Sequence, residues 1–258
     1  MTAPLSNDID RDVVTRSLAN CCRYWLNYGI EISHDDGVAL HRSGIDFPLL
    51  NGVFRVDDPD PQTISDARSQ LAGKASAWWV GPDSHPSTLE VLLQCGGTLQ
   101  GSMPVYIRPL DELPTLTVPD GVSIDEIAGA AALDEWVACM APSMGIPPGE
   151  LERMKHAEHS RLDRPGQYRR FAARLDGRMI GTSAMFEAEG VAGIYTCSTA
   201  EPFRRQGIGA ALTVAAARAA PEHGLDHATL QATPLGEPVY RRLGFRKVAD
   251  YSCVMFAG

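Results

Sequence analysis

Residues 196–220 read TCSTAEPFRRQGIGAALTVAAARAA, and this stretch restricts the fold more tightly than any other. Together with Ile194 and Tyr195, its opening residues have the β-branched and aromatic character of a strand. Pro202 stops that strand. From Gly207 to Ala220 the run is rich in Ala and Leu, which predicts a helix. Residues 204–210 therefore fall at a helix N-terminus. Unpaired N–H groups and the positive end of the helix dipole favour an anion there. Gly207 and Gly209 let the backbone approach phosphate oxygens with no Cβ in the way. Arg204 and Arg205 supply charge-assisted hydrogen bonds. The competing reading is a plain strand–helix turn in which glycine serves geometry alone. Two other phosphate loops fit poorly. A P-loop needs Lys and then Ser or Thr after its last Gly, whereas Ala210 and Ala211 follow Gly209. A dinucleotide fingerprint needs Gly or Ala three residues after its second Gly, and position 212 is Leu.

A second segment weighs against the plain turn. Residues 231–248, QATPLGEPVYRRLGFRKV, follow another predicted strand and hold a short helix ending in Leu243-Gly244-Phe245. The pair Arg204-x-x-Gly207-x-Gly209 and Tyr240-x-x-x-Gly244-Phe245 closely resembles the two motifs of the GNAT superfamily of acyl-CoA N-acyltransferases. The order strand, loop, helix, strand, helix also agrees, and the resemblance spans about residues 122–257.

The resemblance implies acetyl-CoA as co-substrate, no metal, and an N-acetyl transfer to a small-molecule amine by direct attack. A non-catalytic acyl-CoA-binding regulatory or scaffold protein is the alternative. By position, Arg204, Arg205, Gln206, Gly207, Ile208, Gly209 and Ala210 are expected to hold the pyrophosphate. Cys197, Ser198 and Thr199 are expected to bind the pantetheine arm through their backbone, one N–H polarising the thioester carbonyl. Tyr240 is expected to face the sulfur as hydrogen-bond donor or general acid. A tyrosine titrates near ~10 and a thiol near ~8.5, so stabilising a developing thiolate is as reasonable as full proton transfer. A core tyrosine packing on Phe245 is the bland alternative. Thr233 stands where many members have Asn, which puts that cofactor contact in doubt.

The base is the gap. Many members carry a Glu on the strand matching residues 191–199, and here that strand has no carboxylate. Tyr195 is the strong hydrogen-bonding group left to face an acceptor; Glu187 and Glu189 read as nearby turn residues. A water-relayed base, or none, stays open. A covalent role for Cys197 is disfavoured because no His lies beside it.

A length of 258 residues suits one large or two ordinary domains. A formal charge of −9 argues against nucleic acid as a partner, and weakly against anionic membranes. No apolar run approaches the ~18 residues of a membrane-spanning helix. The opening MTAPLSNDIDRD is polar and acidic, unlike a signal peptide, and the six cysteines form no CxxC pair. A reduced, cytoplasmic protein is expected, with a homodimer left open. His156 and His159 are read as a solvated helix face.

The chain also repeats itself. Helix 10–28, strands 37–42 and 47–56, helix 63–71, strand 77–80, helix 87–94 and strand 103–107 follow the order found again about 150 residues later. Gly96 or Gly97 then corresponds to Gly244, and Leu92 or Leu93 to Tyr240. In place of the arginine–glycine loop stands Asp57-Asp58-Pro59-Asp60-Pro61, where prolines remove N–H donors and aspartates repel phosphate. The expected fold is α/β (α+β), with two GNAT-like domains, each a mixed, mainly antiparallel sheet flanked by helices. Residues 1–110 form the degenerate domain, 111–120 a proline-bearing linker, and 121–258 the acetyl-CoA-binding domain. In the family, the helical region 130–162 covers the acceptor. Arg161, Arg164, Arg169, Arg170, Arg174 and Arg178 read chiefly as a solvated basic face, with recognition of an acidic acceptor group or the CoA 3′-phosphate as the minor reading.

Overall fold

The structure is a computed structural model that describes residues 11–29, 31–33, 37–71 and 73–258; the polar opening decapeptide, Asp10 included, lies outside the described residues. The first half runs α1 (Arg11–Leu26), β1 (Glu31–Ser33), β2 (Val38–Arg42), β3 (Asn51–Val56), α2 (Pro61–Gln70), β4 (Ser76–Val80), α3 (Thr88–Gln94) and β5 (Thr98–Pro109). The second runs β6 (Val122–Glu126), α4 (Ala130–Met144), α5 (Leu151–His159), β7 (Tyr168–Leu175), β8 (Arg178–Ala188), β9 (Val191–Thr199), α6 (Ile208–Arg218), β10 (His227–Gln231), α7 (Glu237–Arg242) and β11 (Arg246–Phe256). Among the described residues no helix is long and apolar enough to cross a membrane.

Local chemistry accounts for most boundaries. Asp60 accepts the N–H groups of Gln62 and Thr63 at 2.7 and 3.0 Å, and Pro61 sits at the first helical position. The expected break at 57–61 is therefore a helix start, two residues earlier than the apolar pattern predicts. Pro142 lies inside α4 rather than ending it, and Gly145, at φ 78°, supplies the stop. The hairpin between β7 and β8 turns on Asp176 and Gly177 at φ 49° and 78°, the two positive values a tight turn of this type requires.

The strands form one mainly antiparallel sheet in the order β1-β2-β3-β4-β11-β5-β10-β9-β8-β7-β6. The two sheets expected from the sequence are thus joined at a seam. Strand β5, which closes the first half in sequence, pairs with β10, and β11 pairs with β4. The halves repeat the same device. Strands β3 and β4 are parallel and pair only at Gly52↔Ala77 and Val53↔Trp78; β9 and β10 are parallel and pair only at Ala192↔Ala228 and Gly193↔Thr229. The helix ends match as well. Gly96 and Gly244 have φ 89° and 85°, and Gly97 N–H bonds Leu92 O at 2.9 Å as Phe245 N–H bonds Tyr240 O at 3.0 Å. Gly96 and Leu92 are therefore the counterparts of Gly244 and Tyr240.

Apolar clusters lie on both faces of the second half. Ile208, Leu212 and Ala216 of α6 pack on one face with Ile194 and Phe245. Trp136, Met140 and Met154 of α4 and α5 pack on the other, with Tyr24 of α1 and Ile45 and Leu50 of the first half.

Candidate active site

The site grows from the place where β9 and β10 part. Their pairing ends at Gly193↔Thr229, yet β9 runs on to Thr199. Beyond that point the facing edge of β9 is open to an extended ligand. A bulge marks the same stretch. The β8–β9 register shifts between Thr182 and Ala184, Thr196 has φ 51°, and Thr182 Oγ1 donates to Thr196 O at 2.8 Å. A threonine in this region is strained by about 1–3 kcal/mol and persists only where its surroundings hold it. The bulge resets side-chain alternation, so Tyr195 packs with the cluster under α1 and Cys197 with the cluster under α6.

Helix α6 begins at the open end of this gap. Gly207, at φ 83°, is its N-cap and no side chain caps the helix, so its first N–H groups point outward. Arg205 also has positive φ, 66°. Arg204 Nε donates to Thr199 O at 3.1 Å, tying the loop to the strand end. A Cβ on Gly209 would lie 3.4 Å from Thr199 Oγ1, so helix and strand meet there. Arg204, Arg205, Gln206 and Gly207 are exposed, Gly209 and Ala210 half-buried. Ile208 is a core residue, 1% exposed, and offers the site only its backbone. The Ser198 side chain is turned inward to Thr182, with 2.8 Å between the hydroxyls.

Tyr240 packs edge-on to Phe245, ring centroids 6.1 Å apart, beside Cys197. Burial, then the neighbouring Cys197, pushes its hydroxyl well above the ordinary tyrosine range, so it is a donor at neutral pH. Burial also pushes the Cys197 thiol up to about 11, which leaves it a poor nucleophile. Thr233 caps the turn before α7. Its hydroxyl accepts Gly236 N–H at 3.2 Å, and its carbonyl accepts Gly236 and Glu237 N–H at 3.0 and 2.9 Å.

Tyr195, expected at the acceptor, is instead buried under α1. Its ring stacks on Tyr24 with centroids 3.6 Å apart, and its hydroxyl donates to Asn20 Oδ1 at 2.7 Å. Burial pushes its pKa well up, so it has neither a free hydroxyl nor a base at neutral pH. Glu187 at the end of β8 and Glu189 in the β8–β9 turn flank the first residue of β9, which lies roughly 26 Å along the strand from Thr199. There Glu187 accepts from His223 at 2.7 Å and Glu189 pairs with Arg23 at 3.5 Å. The basic cluster is largely paired rather than solvated. The Arg161 side chain is 2% exposed, bonds Asp163 at 2.7 Å, and lies 4.2 and 4.3 Å from the ring centres of Tyr28 and Tyr168. Arg170 bonds the buried Glu158 at 2.6 Å.

Two residues near the gap escaped the sequence reading. Asn20 Nδ2 reaches Phe186 O, Ala188 O and Val191 O at 3.0–3.2 Å. Trp25 Nε1 donates to Gln231 Oε1 at 3.3 Å, at the end of β10. Asn20 shares the buried face of α1 with Ser17, and that pair of polar side chains among apolar ones was the available signal.

The first half lacks the same opening. His85 N–H, after β4, bonds Val56 O at the end of β3 at 2.9 Å, bridging the strands where they part. The matching loop of the second half turns toward β5, with Ala232 N–H on Pro104 O at 2.9 Å.

Residues 151–255 match the family model described as an acetyltransferase (GNAT) domain. No curated protein matches the chain. Among solved structures, a GCN5-related N-acetyltransferase from Kribbella flavida is 19% identical, with 94% of this chain and 96% of that one covered at TM-score 0.69. One from Sphaerobacter thermophilus is 20% identical, with 76% and 64% covered at TM-score 0.59. A tandem GNAT protein from the clavulanic acid biosynthesis pathway is 13% identical, with 85% and 78% covered at TM-score 0.56. These three share the fold.

Proposed function

We propose that this chain transfers an acetyl group from acetyl-CoA to the nitrogen of a small amine by direct attack, a reading supported by the match of residues 151–255 to the acetyltransferase (GNAT) domain model. One observation carries the reading: the uncapped N-terminus of α6 stands where β9 leaves β10, with Tyr240 alongside. The N–H groups of residues 208–210, with Arg205, suit a pyrophosphate. The open edge of β9 suits the amides of a pantetheine arm, and an N–H beside the bulge polarises the thioester carbonyl. The amine nitrogen attacks the carbonyl carbon, the C–N bond forms and the C–S bond breaks. Tyr240 donates its hydroxyl hydrogen bond to the departing sulfur. Strand β9 carries no carboxylate, so the proton lost by the amine goes to water.

One working half is part of the proposal. In the first half, Asp60 occupies the N-terminus of α2, Leu92 takes the place of Tyr240, and His85 bridges the gap. Asp60 and the His85 bridge oppose binding of acetyl-CoA there, and Leu92 offers no hydroxyl to a departing sulfur.

The test is acetylation of an amine panel with acetyl-CoA. Tyr240→Phe is expected to lower kcat by about 10²-fold, the lower range for losing a hydrogen-bond donor to developing negative charge, with acetyl-CoA affinity unchanged. Wild-type turnover in that variant removes the role given to Tyr240. The missing β9 carboxylate favours a second reading, an acyl-CoA-binding protein without turnover; repeated turnover on any amine excludes it.

A further inference from the structure

Helix α7 has six residues and no side-chain cap. A helix so short does not hold itself in water, so tertiary contacts decide where Tyr240 points. One face of α7 carries Glu237 and Arg241, which meet at 2.8 Å. Both engage Tyr106 of β5: its hydroxyl donates to Glu237 Oε1 at 2.7 Å and accepts from Arg241 Nε at 3.2 Å. Tyr106 is fully buried and sits in mid-sheet, opposite Leu230 of β10 and Lys247 of β11. Its ring belongs to the core cluster on which Val239 and Tyr240 pack. The Glu237 and Arg241 side chains are 32% and 61% exposed, so as a bare ion pair they contribute little. The buried phenol is what ties them to the sheet.

We infer that Tyr106 is a positioning residue for acetyl transfer: β5, supplied by the first half, sets the orientation of α7 and thereby aims the Tyr240 hydroxyl at the thioester sulfur. The inference rests on the role proposed above for Tyr240. It gives the first half a part in the reaction that requires no cofactor site of its own.

The test follows thiol release from acetyl-CoA with hydroxylamine as acceptor, above the uncatalysed rate. It compares full-length wild type, Tyr106→Phe, Tyr240→Phe and the double variant, with acetyl-CoA affinity measured for each. Tyr106→Phe is expected to lower kcat about tenfold, the worth of one hydrogen bond in the aligned state, with affinity unchanged. In the Tyr240→Phe background the same change is expected to cost nothing further. An equal loss in both backgrounds, or no loss in either, overturns the inference. Should Tyr106→Phe fail to fold, Glu237→Gln combined with Arg241→Met removes the same contacts from the helix side and must give the same non-additive loss. If Tyr240→Phe alone turns over like wild type, the reading of Tyr240 falls and the inference with it. If Tyr240→Phe is impaired and Tyr106→Phe is not, the inference alone falls.

Discussion

Asn20→Ala perturbs the joint between the two halves at one buried side chain. The Asn20 amide has two protons to share among Phe186 O, Ala188 O and Val191 O, and its oxygen accepts the Tyr195 hydroxyl at 2.7 Å. Counting two donated bonds and one accepted, at about 1 kcal/mol each, gives about 3 kcal/mol. Leaving the buried Tyr195 hydroxyl unpaired adds about 1 kcal/mol or more. The variant is expected to lose about 4 kcal/mol, a large share of the 5–15 kcal/mol typical of a domain. Tyr195→Phe alone should cost about 1–2 kcal/mol, but in the Asn20→Ala background it should regain about 1 kcal/mol, because it removes the hydroxyl left unpaired there. Urea unfolding of the four proteins, compared by midpoint at constant slope, measures both quantities. A loss under about 1 kcal/mol for Asn20→Ala, or additive costs, would refute the argument that Asn20 clamps α1 and holds Tyr195 away from an acceptor.

Other perturbations read other parts of the account. A Cβ on Gly52 would lie 1.8 Å from Ala77 O, and a strand carbonyl cannot step aside, so Gly52→Ala should destabilise by ~3 kcal/mol or more; wild-type thermal stability would contradict the β3–β4 geometry. His41 is fully buried, and burial lowers its pKa from the ordinary 6.5 to about 4. A depressed folded-state value means that its contribution is present above pH 6.5 and is lost as pH falls towards 4, about 3 kcal/mol in all. His41→Leu should flatten that part of the urea-midpoint profile, and an unchanged profile would assign the acid sensitivity elsewhere.

What was legible in the sequence was local. The Gly207 helix start and the Gly96 and Gly244 helix ends all depend on a residue's own backbone, and each has the φ that its role requires. What was hidden is non-local. Apolar periodicity predicts a strand at 103–107 but not which strand it pairs with, so the seam of β5 and β11 could not be read. Tyr195 has the right place on β9 for an acceptor-facing group. Only α1, 175 positions earlier at Asn20, shows that the site is taken. The arginines at 161 and 170 read as a solvated run because their partners are aromatic rings and a buried acid, Glu158, brought in by folding. Thr233, at a family cofactor position, caps a turn, the local bond that threonine makes readily.

The central claim is that the chain has one acetyl-CoA site, at the N-terminus of α6. Calorimetric titration of wild type and Gly209→Glu with acetyl-CoA tests it most directly, since the variant sets a carboxylate where the pyrophosphate is expected, and its Cβ only 3.4 Å from Thr199 Oγ1. The account predicts one acetyl-CoA bound per wild-type chain and none by the variant. Two per chain would give the first half a working site, and binding that survives Gly209→Glu, or no binding by wild type, would contradict the claim outright.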